Sequence, residues 1–455
     1  MTLEHPSTHA LSGWGRSVHR SSPVRRPTFD GGLVEAVLAE PRITVRGAGK
    51  SYGDAALPNG GIVLDMTSRN RILSFDQREG VLIVESGALL RDVIDQTLSL
   101  GWKLPVVPGT ERITIGGAIA SDVHGKNHPG AGSFGRHVRW LALLRSDGNI
   151  VQLSAGQDAD AFWATIGGMG LTGVILHAAI QLQRVDTGWV VRNRRRTRSL
   201  DETLEAMQSL AARQELDPER HVIAWLDAHA PGASLGRGIV DEFYGASTLD
   251  LPGSVAPYPE ARTAAARNRR SLPGPGLVSR ATIAAASAAR WHLSRSANSQ
   301  LATLRSALCP LDRADSWPAA FGRRGLIQYQ FALPPDELDV VRAVLVFLGT
   351  HGMTPALATL KTFGFDSAAP LSFPIPGWTL AVDLPARWVH GTLRPVDKLV
   401  AGAGGRVYLA KDAVTDPELI PVMYPRLASW QRTQRRLDPS QRWSSGLAER
   451  LGLLT

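Results

Sequence analysis

The chain of 455 residues holds a single cysteine, Cys309. One thiol closes no intramolecular disulfide and builds no cysteine-rich zinc site, so the fold depends on neither oxidation nor structural zinc. No uninterrupted apolar run approaches the roughly 18 residues of a membrane-spanning helix. The opening segment MTLEHPSTHALSGWGRSVHRSS has no apolar core of signal-peptide type, which points to a cytoplasmic protein. Internal repeats and long low-complexity tracts are missing too. What remains, with 44% hydrophobic and 20% charged residues, is a soluble globular composition with chain enough for two or three domains.

Lysine is scarce as well. Of 50 basic residues only six are lysine (Lys50, Lys103, Lys126, Lys361, Lys398 and Lys411), and the rest are arginine. Lysine is a compact point charge whose pKa falls on burial, whereas guanidinium stays planar and protonated, so a surviving lysine marks a place to look. Lys103 and Lys398 read as chance survivors. The net charge of +9 is concentrated: Pro252–Leu308 carries eight arginines against the single acid Glu260, a net +7. Such a block is either a solvated helical face or a surface for something anionic, phosphate-bearing lipid or nucleic acid.

To about Val191 the chain alternates short strands and helices. ITV (43–45), GIVLDM (61–66) and VLIVES (81–86) are strand-like, and ALLRDVIDQTLSLG (88–101) has helical spacing. WLALLRSDGNIVQLS predicts a hairpin turning at Asp147-Gly148, and TGVILHAAIQLQ (172–183) a further strand. This is an α+β pattern with antiparallel elements. An arginine-rich shift in composition follows at RNRRRTRS (192–199). Later, LIQYQFAL (326–333), WTLAVDL (378–384) and GGRVYLAKDA (404–413) are strand candidates, PDELDVVRAVLVFLGTHG (335–352) is an amphipathic helix, and YPRLASWQRTQRRL another helix.

Glycine clusters carry the chemistry. Arg46-Gly47-Ala48-Gly49-Lys50-Ser51-Tyr52-Gly53-Asp54 ends in Gly-Lys-Ser like a P-loop, but Thr44 stands where that motif needs glycine, and Tyr52-Gly53-Asp54 continues as a turn. The segment still offers converging backbone N–H groups for an anion. A second cluster runs from Thr114 through Gly116-Gly117 to His124-Gly125-Lys126-Asn127-His128, and a third is Gly132-Ser133-Phe134-Gly135. The histidine pair has no third metal ligand nearby, so no metal site is expected. Gly168-Met169-Gly170-Leu171-Thr172-Gly173 matches G-x-G-x-x-G yet precedes a strand, which argues against a dinucleotide-binding βαβ unit and for a dinucleotide held by another architecture.

RGAGKSYGD, PVVPGT, TIGGAIASDVHGKNH, GSFG and FWATIGGMGLTG, in this order, resemble the flavin domain of the vanillyl-alcohol oxidase superfamily. LSGWGR, LIQYQF, LKTFG, PLSFPIPGW, GGRVYLAKD and MYPR extend the likeness to the branch that oxidises decaprenylphosphoryl-β-D-ribofuranose in mycobacterial arabinan synthesis. The match is patchy only between about residues 190 and 310. The resemblance implies a PCMH-type two-subdomain FAD-binding domain (1–190), a substrate domain on an antiparallel sheet with flanking helices (191–405, with the basic insert near 252–308), and a tail (406–455) that completes the FAD-binding domain. It further implies FAD contacts at Arg46, Gly47, Ala48, Gly49, Lys50, Ser51, Tyr52, Gly53, Gly109, Thr114, Gly116, Gly117, Ser121, His124, Gly125, Lys126, Asn127, Ser133, Gly135, Ile175 and Tyr408. Substrate contacts fall on Tyr52, Gln328, Gln330, Lys361 and Lys411, with Lys411 and His124 as the catalytic pair. Covalent members carry histidine where this chain has Lys50, and no cysteine stands ready as a second attachment point, so FAD is expected to be noncovalent.

By the same resemblance the reaction converts a ribose 2-hydroxyl to a ketone, a separate NADH-dependent reductase completes epimerisation to the arabinose donor for the cell wall, and the basic block meets the cell membrane peripherally, on the cytoplasmic or periplasmic face. Four positions depart from that branch: Ile223 for serine, Leu308 for tyrosine, Thr379 for asparagine and Ala381 for cysteine. They leave open a related flavin oxidase of a soluble alditol, lactone or hydroxy acid. Arginine alone would favour a nucleic-acid binder, but no recognised nucleic-acid motif accompanies it.

Overall fold

The computed structural model describes residues 7–259, 274, 276–313, 317–389 and 393–454. Two smaller sheets are built mainly from the N-terminal part. In the first, Ser7–Ser12, His19–Arg25, Ile62–Asp65 and Ile43–Arg46 are neighbours in that order, the last three strands running parallel. The second is antiparallel, ordered Ile72–Asp76, Val81–Glu85, Val174–Gln181, Val138–Leu144 and Ile150–Leu153. Its hairpin turns at Asp147-Gly148 as the sequence predicts: Arg145 N–H donates to the Asn149 carbonyl at 2.9 Å, and Gly148 takes φ +84°.

An eight-stranded antiparallel sheet dominates the rest. Its order is Ala297–Thr303, Trp189–Arg196, Gly238–Gly245, His221–Leu226, Leu357–Phe363, Gly377–Pro385, Leu326–Leu333 and Arg406–Val407. Leu326–Leu333 is buried along its whole length, which its near-continuous apolar run requires. The amphipathic helix forms over Leu338–Thr350 and buries Val340, Val341, Val344, Leu345 and Leu348 on one face. The C-terminal residues return to the start of the chain. Trp443 is fully buried beside Ile43, Leu64 and Leu176, and Ile43 N–H donates to the Arg442 carbonyl at 2.7 Å.

The arginine-rich 192–199 segment, marked in the sequence only by its composition, is mostly an internal strand, with Arg192 and Arg194 on one face of the large sheet. Two readings need correction. The strand expected over 404–413 stops at Val407, because the Lys411 and Asp412 N–H groups fold back to the Tyr408 carbonyl at 2.9 and 3.0 Å. Lys103 is buried, 3.5 Å from Glu219, so it is held by a specific partner. Of the basic block, Glu260, Arg262, Arg267, Arg269 and Arg270 lie outside the described residues. Its described part includes the helix Arg280–Leu293, capped by Ser279 and Thr282 and burying only Ile283 and Ser287, followed by the edge strand Ala297–Thr303 and the short helix Leu304–Leu308. Among the described residues no helix is long and apolar enough to cross a membrane.

Candidate active site

The turn after the strand Ile43–Arg46 is shaped by what lies beneath it. The Arg46 guanidinium donates to the carbonyls of Ala56 (3.0 Å) and Ser12 (2.9 Å), pinning both sides of the turn. Gly49, at φ +62°, packs so tightly on it that a Cβ would fall 2.1 Å from Arg46 Nη2. Among the described residues, the N–H groups of Ala48, Gly49, Lys50 and Ser51 meet no protein acceptor. Four such donors in one tight turn make an anion cradle. The second glycine pair works differently, since Gly116 N–H already donates to the Ser86 carbonyl and Gly117 N–H to Thr114 Oγ1. It brings the short helix Ile115–Ala120 against Ser86, whose buried hydroxyl has no partner among the described residues.

Both turns open on a cavity of about 460 Å³, whose opposite wall is one face of the eight-stranded sheet. Strand register sets that face. Gln328 and Gln330 lie opposite Asp383 and Ala381, Ala381 opposite Thr359, Thr359 opposite Trp225, Ile223 opposite Asp241, and Asp241 opposite Arg194. Directly paired residues share a face, so residues nearly 200 positions apart in sequence meet on one wall. It grades from amide and ammonium groups, through an apolar strip of Ile223, Trp225, Ile239 and Phe243, to arginine.

At the polar end Lys411 Nζ sits 4.0 Å from the centre of the Tyr52 ring, a cation–π contact. Gln328 Nε2 donates to Tyr52 Oη (3.1 Å) and Asp383 Oδ1 (2.6 Å), and Trp317 Nε1 donates to Asp383 Oδ2 at 2.8 Å. Burial pushes Lys411 down to about 8, with Asp383 opposing the fall. Next to it, Gln330 Nε2 lies 3.0 Å from His124 Nε2 and 3.1 Å from Thr379 Oγ1, while Lys361 Nζ lies 3.4 Å from His124 Nδ1. Burial, then Lys361, drives His124 well below its ordinary range, so its ring is neutral. Lys361 itself is pushed to about 7 by burial and by the ammonium groups of Lys126 and Lys411.

Comparison with known proteins agrees with this geometry. The family model described as "FAD binding domain" matches residues 34–154. A protein of Mycolicibacterium smegmatis, "Decaprenylphosphoryl-beta-D-ribose oxidase", is 36% identical over 464 aligned positions covering 100% of both chains. The chain belongs to the PCMH-type family of FAD-dependent oxidoreductases. An uncharacterised Streptomyces coelicolor protein is 37% identical over 80% of this chain and 100% of its own length. The "L-gulonolactone oxidase" of Mus musculus is 33% identical over 38% of this chain and 40% of that enzyme.

The residues present suit the family's cofactor. The N–H cradle at 48–51 and the unpartnered Ser86 hydroxyl supply donors for a pyrophosphate and ribose, and the glycine-lined wall at Gly109 and Gly170 gives a flat ring system close approach to the backbone. Of the residues carried over from family resemblance, Gly47, Ala48, Gly49, Lys50, Ser51, Tyr52, Gly109, Thr114, Gly116, Gly117, Ser121, His124, Gly125, Lys126, Ile175, Gln328, Gln330, Lys361, Tyr408 and Lys411 line the cavity. Arg46, Gly53, Asn127, Ser133 and Gly135 stand off its wall. Asn127 Nδ2 ties the Pro105 and Pro218 carbonyls, Ser133 Oγ meets His128 Nε2 at 3.2 Å, and Gly135 N–H donates to buried Asp122. Lys126 turns its Nζ to the Ala307 carbonyl (3.0 Å) and to that of Leu308. Of the four departures Ile223 and Ala381 line the cavity, Thr379 shares the face of Ala381 and is buried against Gln330, and Leu308 is buried outside the lining. Sequence reasoning missed Ser86, Trp225, Asp383 and the pair Arg194–Asp241, which meets fork to fork at 2.6 Å for both contacts.

Proposed function

We propose that this oxidoreductase converts the 2-hydroxyl of a polyprenylphosphoryl-β-D-ribofuranose to the 2-keto sugar, the first half of an epimerisation that a separate NADH-dependent reductase completes. The full-length likeness to a decaprenylphosphoryl-ribose oxidase supports that substrate. The observation that carries the chemistry is the half-buried Lys411 over Tyr52, facing the cavity with its pKa lowered to about 8. When bound, FAD supplies the hydride acceptor. Lys411 orients the sugar hydroxyl and takes its proton as the carbon–hydrogen bond breaks, a task suited to a base whose pKa lies near working pH. Gln328 and Asp383 hold Tyr52 and Lys411 in register, and neutral His124 donates or accepts a hydrogen bond without changing charge. With Lys50 at the histidyl attachment position, FAD is held without a covalent bond. Of the described part of the basic block, the exposed Arg280 and Arg295 beside Leu277 and Leu293 suit peripheral contact with an anionic membrane, each basic residue adding about 1 kcal/mol, whereas Arg290 lines the cavity and Arg305 is paired with Asp95.

A second reading, oxidation of a soluble alditol, lactone or hydroxy acid, draws on the apolar Ile223 and Ala381 in the cavity wall and on the partial likeness to gulonolactone oxidase. Anaerobic mixing decides between them. Bleaching of the yellow holoenzyme by a polyprenylphosphoryl-ribose supports the first, and bleaching by water-soluble polyols alone selects the second.

A further inference from the structure

The polar end of the cavity holds more positive charge than the protein neutralises. Lys361, on the strand Leu357–Phe363, has His124 Nδ1 at 3.4 Å as its side-chain partner, and that ring is neutral. Lys126, buried, is held by two carbonyls. Lys411 stacks on Tyr52. Among the described residues three carboxylates line or border this cavity, and all are engaged. Asp383 accepts from Trp317 and Gln328, Asp241 is forked by Arg194, and Asp312 accepts from Thr110 Oγ1 and Glu111 N–H. A buried ammonium without a counter-ion is expensive, and a bound anion removes that penalty.

We propose that Lys361, backed by the charge of Lys126 and flanked by His124, is an anion subsite that takes a carboxylate oxygen two bonds, or a phosphoryl oxygen four bonds, from the carbon being oxidised. The proposal rests on the reading that the reacting hydroxyl meets Lys411, and it sharpens that reading: substrates carry a negative charge beside the carbinol. A glycosyl 1-phosphate ester with its free 2-hydroxyl has this arrangement, and so does a 2-hydroxy acid. Neutral alditols and lactones do not.

The test titrates holoenzyme with inorganic phosphate, followed by the flavin difference spectrum, in wild type, Lys361→Met and Lys361→Arg. The methionine variant is expected to keep its FAD and bind phosphate at least about tenfold more weakly, as for loss of one charge-assisted hydrogen bond, with arginine restoring most of the affinity. Unchanged phosphate binding in Lys361→Met overturns the proposal. So does a parallel loss of FAD, which would assign the lysine to the cofactor's own phosphates. Anaerobic mixing with β-D-ribofuranosyl 1-phosphate, D-lactate, xylitol and L-gulono-1,4-lactone then identifies the source. Reduction by either anion supports the subsite and names its ligand, and reduction by the neutral compounds at equal efficiency overturns it. Phosphate binding that depends on Lys361, with no carbinol reducing the flavin, keeps the subsite and removes the oxidation reading.

Discussion

Replacing Arg450 with alanine removes a cation that joins two turns of the site. Arg450 Nη2 lies 2.8 Å from both Asp54 Oδ1 and Asp412 Oδ2, and Nε donates to Asp54 Oδ2 at 3.0 Å. Asp54 ends the glycine turn that faces the cavity, and Asp412 directly follows Lys411. The two turns touch closely: Tyr52 N–H donates to the Ala410 carbonyl at 3.2 Å, and a Cβ on Gly53 would fall 2.0 Å from the Asp412 carbonyl oxygen. Breaking a buried ion pair by removing one partner costs about 3–5 kcal/mol. Two features place this case at the low end. The Arg450 side chain is 26% exposed, and Asp412 keeps the N–H groups of Val414 and Thr415 at 3.0 and 2.8 Å. We expect a loss of about 3 kcal/mol in urea unfolding of the holoenzyme, read from tryptophan and flavin fluorescence together. Asp54→Asn in the same background should be non-additive by about 1–3 kcal/mol. A loss below about 1 kcal/mol, or simple additivity, would refute the clasp as a stabilising element.

Other expectations follow from the same geometry. Lys411→Ala should retain FAD yet lose reduction by substrate, and unchanged turnover would remove Lys411 from the chemistry. On the proposal that Lys411 takes the proton as a neutral amine, flavin reduction in wild type should fall about tenfold per pH unit below the Lys411 pKa of about 8 and level off above it, a limb absent from the alanine variant. Asp383→Asn takes away the carboxylate that opposes the fall in the Lys411 pKa, so stopped-flow profiles should shift to lower pH; a shift upward contradicts the assignment. Acid precipitation should leave the flavin in the supernatant, and yellow colour retained in the washed pellet would show a covalent bond.

Legibility from sequence followed the range of the interactions. The hairpin at Asp147-Gly148 and the strand at 326–333 were readable because a turn dipeptide and a local apolar run encode them. The glycine turns were readable as backbone built for close approach, and they line the cavity, but which neighbours face inward was not readable: Asn127, Ser133 and Gly135 travel with the motif and serve the scaffold. The strand Trp189–Arg196 hid because arginine and asparagine stand where hydrophobic alternation would betray a strand face. The turn at Tyr408–Asp412 hid because Val407-Tyr408-Leu409-Ala410 has strand-like composition, while Asp412 and its partner Arg450 reshape it. Trp225 reaches the cavity, and Asp383 its place beside Gln328, only through register across the large sheet, which no local pattern reports.

The central claim is that a charged ribosyl lipid is oxidised at Lys411. Mixing the holoenzyme anaerobically with a polyprenylphosphoryl-β-D-ribofuranose tests it most directly. The account predicts loss of the yellow absorbance with one equivalent of 2-keto sugar formed per flavin; flavin that stays oxidised with this lipid yet is reduced by a neutral polyol would contradict it.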